Sequence, residues 1–273
     1  MGMQKILRGV MQYRATVKPG IVKQLKAVSD HPKPKALVFS CMDSRMLPTR
    51  FTQTDIGDIF FVRNPGNVVV PSNLCSLSDS VEGPAALDMA CNVVKVKDVV
   101  VLGHSDCKAM NALYSLCSCT KHKDDDEVPP DSPVSRFLNQ VGMATIEKFE
   151  AVRKCEPGAL HFKSEVPSLS FRAFIDPEKQ LSLTDKLSQV NTLQQLVNLS
   201  THTMIKPQLH DGRVRLHAMW FDIFTGNMFI FSSELQRFIE IREDTIDHLL
   251  SRVKHNESKD HIETLTNSVK MSK

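Results

Sequence analysis

Three short segments of this chain do not alternate apolar with polar residues: Ala36-Leu37-Val38-Phe39-Ser40, the stretch from Asp58 to Val62, and Val99-Val100-Val101-Leu102. A strand with one face in water alternates, whereas an unbroken apolar run of this length fits a strand covered on both faces, as in a parallel sheet. The breaker Lys33-Pro34-Lys35 marks where the first strand begins. Between the second and third strands, Glu82–Lys95 carries Ala85, Ala86, Ala90 and Val94 and reads as a helix. Strand, helix and strand in that order make a βαβ crossover. The fold class is therefore α/β, with a central, mostly parallel β-sheet flanked by helices. No segment approaches the ~18 consecutive apolar residues of a membrane-spanning helix, so no membrane partner is expected.

The rest of the chain reads as additions to that sheet. Residues 1–30 form an N-terminal helical arm: Ile6, Leu7, Val10 and Met11 follow the helical period, and residues 1–29 are basic with no acidic residue. That bias is shared by mitochondrial presequences and by helices that pack on another surface, so the compartment, mitochondrial or cytoplasmic, stays undecided. Residues 117–135 read as an acidic insertion loop, with Asp124–Glu127 and three prolines. Val214–Phe221 and Met228–Phe231 flank Thr225-Gly226-Asn227 as a hairpin. Glu234–Lys254 has apolar residues at helical spacing, and residues 256–273 read as a flexible polar tail. We expect a single domain over 1–273.

Charge bounds the partners. Against 34 Lys+Arg stand 31 Asp+Glu, and the near-balance with mixed signs argues against a nucleic-acid surface and for a small neutral or anionic ligand. Seven cysteines, an odd number with no secretory leader pattern before them, do not suit a disulfide framework. In a reducing compartment such thiols are core residues or metal and catalytic groups.

Two clusters separate these roles. Cys41-Met42-Asp43-Ser44-Arg45 begins just after the first strand, and Gly103-His104-Ser105-Asp106-Cys107 just after the third. Ligands of open parallel sheets bind beyond the carboxyl ends of strands, so neighbouring strands would bring Cys41, His104 and Cys107 together. Two thiolates and an imidazole suit Zn2+, and three protein ligands leave a fourth position for water or a carboxylate. Either motif alone is weak, because a free cysteine at a strand end is ordinarily packing. Asp43 and Arg45 add a switch: Asp43 either takes the fourth position or turns to Arg45 and leaves it to water. Cys117, Cys119, His122 and Asp124 form a second cluster, but nothing in an insertion pre-organises it. Cys75, Cys91 and Cys155 read as packing, and His217 as a hydrogen-bonded core or edge histidine. No glycine-rich nucleotide loop follows a strand.

With these residues on view, the chain resembles the β-class carbonic anhydrases, most closely animal members. The resemblance rests on Cys41-Met42-Asp43-Ser44-Arg45, on Gly57-Asp58-Ile59-Phe60-Phe61-Val62-Arg63-Asn64-Pro65-Gly66-Asn67, and on Gly103-His104-Ser105-Asp106-Cys107-Lys108-Ala109-Met110. With the late Trp220-Phe221-Asp222 hairpin and the basic N-terminal helix it covers most of residues 5–232. It implies a zinc held by Cys41, His104 and Cys107, an Asp43–Arg45 dyad, and a CO2 cleft lined by Phe60, Gly66 and Asn67. It also implies a homodimer or higher homo-oligomer in which the N-terminal helices reach the partner and the clefts lie at the interface. The chain departs from the family's pattern at Met89, where many plant and bacterial members carry an aromatic residue near the cleft, at Lys108, and in the 117–135 segment.

The expected reaction is reversible hydration of CO2 to bicarbonate and a proton. Zinc-bound water loses a proton near pH ~7 rather than ~16, and the resulting hydroxide attacks CO2 while Asp43 orients it and Arg45 holds Asp43 off the metal. Thiolate ligands weaken that acidification, so activity should rise toward alkaline pH. Two alternatives keep the same zinc residues: a hydrolase of carbon disulfide or carbonyl sulfide, and a non-catalytic zinc protein with Asp43 permanently on the metal.

Overall fold

A computed structural model describes residues 2–30, 32–75, 82–118, 128–129, 131–154 and 158–253. Two helices come first, α1 (Gly2–Thr16) and α2 (Lys18–Ser29), the second opened by Pro19, whose fixed φ and missing N–H suit a first helical turn. The sheet then begins with β1 (Ala36–Cys41), followed by the short α3 (Pro48–Thr52) and β2 (Ile59–Asn64). The crossover helix starts as α4 (Glu82–Leu87) and widens into a π-helical segment, Asp88–Val94, that ends at Lys95 in the left-handed region. It leads to β3 (Asp98–His104) and α5 (Lys108–Ser118).

Beyond α5 lie α6 (Pro133–Arg153), whose first turn is capped by the Ser132 side chain, a small antiparallel pair β4 (Leu160–Phe162) and β5 (Phe171–Ala173), and α7 (Leu183–Ser200). The short α8 (Lys206–His210) returns the chain to β6 (Arg215–Phe221), β7 (Met228–Ser232) and β8 (Arg237–Glu240). The six-stranded sheet has the order β2-β1-β3-β6-β7-β8. Its first four strands are parallel and its last two antiparallel.

The unalternated strands divide between two faces. Leu37, Phe39, Val99 and Val101 join one large core with Leu113, Leu138, Phe149, Leu187, Val190 and Leu193 from α5, α6 and α7. Val38 and Leu102 point to the other face, where they form with buried Met46 a small cluster rimmed by half-buried Phe51, Ile59, Phe61, Met219 and Phe221. Phe51 and Phe221 stack there at 4.4 Å between centroids. Neither α1 nor α2 contributes a buried residue.

The hairpin forms as expected, with Trp220 opposite Phe229 and a left-handed Gly226 in its turn. The helix expected over Glu234–Lys254 does not begin there. Arg237–Glu240 is instead an edge strand, with Ile239 opposite Ile230 and Phe238 against Phe231 at 5.8 Å, and helix appears only from residue 246. A left-handed Gln236 turns the chain tightly back on β7, so pairing with an open sheet edge overrides the local periodicity. Cys117 and Ser118 end α5 and Pro133 opens α6, so both ends of segment 117–135 are helical. Cys119, His122, Asp124, Cys155 and the tail 256–273 lie outside the described residues.

Candidate metal centre and active site

Parallel pairing of β1 with β3 brings their carboxyl ends side by side, so Cys41 closes one strand where His104 closes the next. After His104 the chain turns through Asp106, held at φ 50°, and Cys107 precedes the first turn of α5. That left-handed residue reverses direction within two positions, which is why a strand-end histidine and a helix-start cysteine can face one another. The Cys41, His104 and Cys107 ligand atoms all lie within 4.8 Å of one another, and all three residues are buried.

The two sulfurs stand 3.9 Å apart, far beyond a disulfide bond of about 2.0 Å. Two sulfurs each about 2.3 Å from a tetrahedral zinc would be separated by about 3.8 Å. The Nδ1–H of His104 donates to the Ser105 carbonyl at 2.8 Å, which fixes the tautomer and leaves Nε2 with a lone pair. That Nε2 is buried and has no hydrogen-bond partner. An orphaned buried acceptor beside two thiols fits a metal-ligand set. The contact with Cys107, with His104 and the amides of Asp43 and Gly66, outweighs burial and holds the Cys41 thiol well below the usual thiol range. The same contact, with burial, pushes Cys107 well above it. Metal binding requires both sulfurs as thiolates and would release the protons they carry.

Arg45 engages both carboxylate oxygens of Asp43. Its Oδ1 accepts from the Arg45 amide at 2.9 Å and from Nε at 3.0 Å, and its Oδ2 accepts from a terminal guanidinium nitrogen at 2.7 Å. Arg45 thereby holds the carboxyl down to about 2. The guanidinium also binds the Asp106 carboxylate at 2.6 Å and the Asp106 carbonyl at 2.9 Å, tying the first cluster to the turn of the second. Arg63 clamps the chain on the other side, donating to the carbonyls of Cys41 and Asp43. Sequence reasoning missed both Asp106 and Arg63 as partners, although each lies inside a quoted motif. A cleft of about 400 Å³ opens beside these groups, lined by Cys41, Asp43, Arg45, Pro65, Ala109 and Val134 among others.

The remaining expected residues are spread more widely. Gly66 and Asn67 are buried, Asn67 has neither amide atom partnered, Phe60 packs half-buried against the main core, and Met89 is exposed on the π-helical segment. None of the four lines the cleft within one chain. Cys91 is buried in the core, Cys75 is half-buried, and His217 bonds the Asp98 carboxylate at 2.8 Å as a structural histidine.

Residues 36–228 match the protein-family model described as carbonic anhydrase. Over 252 residues the chain is 46% identical to Beta carbonic anhydrase 1 of Caenorhabditis briggsae, spanning 90% of this chain and 91% of that one. The chain belongs to the β-class carbonic anhydrase family. Beta carbonic anhydrase 1 of Caenorhabditis elegans is 44% identical over 255 residues, covering 92% and 93% of the two chains. The carbonic anhydrase of Pseudomonas aeruginosa is 30% identical over 241 residues, covering 88% and 93%. The solved β-carbonic anhydrase CcaA shares the fold with a TM-score of 0.68 at 24% identity, over 89% of this chain and 93% of that one. The Coccomyxa β-carbonic anhydrase, solved with acetazolamide, gives 0.54 at 18% identity, over 82% and 83%. As a β-class carbonic anhydrase this chain is a lyase of CO2 hydration.

Proposed function

We propose that Cys41, His104 and Cys107 hold a zinc ion, and that Asp43 and Arg45 control the fourth metal position during reversible conversion of CO2 to bicarbonate and a proton. The observation that carries this reading is the buried, unpartnered His104 Nε2 beside two sulfurs, all within 4.8 Å. When bound, zinc supplies the Lewis acidity that makes a coordinated water acidic near neutral pH.

The chain's own residues then have separable tasks. Arg45 keeps Asp43 ionised and paired, so that its carboxylate would leave room for water on a bound zinc. One lone pair on each Asp43 oxygen is spoken for by a guanidinium N–H, and Oδ2 retains capacity to accept a hydrogen bond from the attacking oxygen and orient it toward CO2. Asp106 and Arg63 fix Arg45 and the backbone of Asp43, so the dyad keeps its geometry between turnovers. Two sulfur donors bring more charge to the metal than imidazoles, so activity rises toward alkaline pH.

The working form is a homo-oligomer, at least a dimer. Ile6, Leu7, Val10 and Met11 are exposed on α1, and the second sheet face has only a thin cluster over it. A second copy would cover both, and would complete the CO2 cleft with Phe60, Gly66, Asn67 and Met89.

Stopped-flow CO2 hydration by the purified protein, beside Asp43→Ala and Cys107→Ser, tests the reading. We expect the cysteine variant to lose zinc and activity together and the aspartate variant to lose about a hundredfold in rate with its zinc intact. Full activity in Cys107→Ser would overturn the zinc assignment.

A further inference from the structure

Helix α7 is buried along almost its whole length, yet much of what it buries is polar. It lies so close to β3 that a Cβ on Gly103 would stand 2.0 Å from Thr192 Oγ1, so only glycine admits the helix there. At that distance its side chains reach backbone groups at the sheet's carboxyl end. Asp185 Oδ1 accepts the Asp106 N–H at 2.7 Å. One turn on, Ser188 Oγ donates to the His104 carbonyl at 2.7 Å while accepting from the Trp220 indole N–H at 3.1 Å. A further turn on, Asn191 Nδ2 donates to the Gly66 carbonyl at 2.9 Å.

Each of these groups adjoins a different ligand. Asp106 is the residue before Cys107, the His104 carbonyl belongs to the ligand itself, and the Gly66 amide faces the Cys41 sulfur. Gly66 sits at φ 77°, in the left-handed region that favours glycine.

We propose that Asp185, Ser188 and Asn191 form a positioning row on one face of α7 that sets the placement of all three metal ligands, with Asn191 acting on Cys41 through Gly66. The inference rests on the zinc reading above. Buried polar groups that satisfy each other completely make rigid supports, because leaving any one of them unpaired is costly. Groups that orient metal-binding side chains in this way typically change metal affinity about 10–100-fold when removed.

The helix supplies its own control. Asn198 Nδ2 donates to the Val69 carbonyl at 2.9 Å and to Gln195 Oε1 at 2.9 Å, and Gln195 Nε2 donates in turn to Asn191 Oδ1, so removing the Asn198 amide reaches the row only through Gln195 and leaves the Asn191–Gly66 bond in place. Zinc affinity by chelator competition, thermal midpoint, and the sulfur-to-metal charge-transfer absorption of the cobalt(II)-substituted protein are compared for Asn191→Ala, Asn198→Ala and the parent. We expect similar losses of thermal stability in the two variants. Zinc affinity should fall about tenfold or more, with a displaced cobalt band, in Asn191→Ala alone. Equal zinc affinity and an equal cobalt band in the two variants would overturn the proposal. A parent protein that binds no zinc would instead sink the metal reading beneath it. Should Asn191→Ala not fold, Ser188→Ala removes a single hydroxyl. It should weaken zinc binding with Ser188→Thr restoring it, and unchanged affinity in Ser188→Ala would overturn the row.

Discussion

The two faces of the sheet are built from the same strands and differ in what covers them. On one face, Leu37, Val99 and Val101 pack beneath α5, α6 and α7 in a core that includes Leu113, Phe149 and Leu193. On the other, Val38, Met46 and Leu102 are the buried members among the described residues, and their neighbours remain half-exposed. Helices α1 and α2, which precede the sheet, contribute no buried residue. The difference teaches where a single chain is complete. The covered face carries the α7 side chains that bond the backbone around His104 and Cys107, whereas the open face and the arm leave apolar side chains uncovered.

Perturbations on the two sides should therefore behave differently. The largest effect belongs to the covered side: Leu193→Ala should cost about 3 kcal/mol by leaving a cavity, measured by urea unfolding, at any protein concentration. Phe61→Ala on the open face should cost the subunit less, but make the thermal midpoint depend on protein concentration more steeply. A concentration-independent loss there would break the contrast. Charging the arm with Ile6→Glu and Leu7→Glu should shift sedimentation toward the monomer while leaving the subunit's unfolding nearly unchanged.

The smallest effect concerns the sheet end away from the metal site. Burial opposes ionisation of Asp98, but His217 and Arg215 outweigh it and hold its carboxyl at about 2. Because the folded value lies below the unfolded one of about 3.9, the group stabilises the fold above that pH, and the stabilisation is lost as pH falls toward 2. Asp98→Asn should therefore be less stable than the parent at pH ~6 by about 1–2 kcal/mol, and the gap should close in acid. A gap that persists at pH ~2 would contradict the linkage.

How much could be read from the amino-acid order follows the same division. Strands β1 and β3 were legible because burial on both sides leaves no polar alternation, and Cys41, His104 and Cys107 were legible because their chemistry sits at the ends of those strands. Helix α7 was not, because Ser188, Asn191, Gln195 and Asn198 face inward and remove the apolar stripe by which a buried helix is recognised. Arg237–Glu240 was misread because Leu235, Phe238 and Ile239 suit a helical period as well as an edge strand, and only the unpaired edge of β7 decides between them. Asp106 lies between His104 and Cys107 in the sequence with nothing there to mark it. Its left-handed backbone and its bond to Arg45 exist only once the turn is folded.

The proposed zinc rests on two sulfurs and one imidazole at the carboxyl ends of β1 and β3. X-ray absorption at the zinc edge of the purified protein tests it most directly. The account predicts two sulfur neighbours at about 2.3 Å and two nitrogen or oxygen neighbours at about 2.0–2.1 Å, with one sulfur lost in Cys107→Ser. A shell of nitrogen and oxygen alone would contradict it.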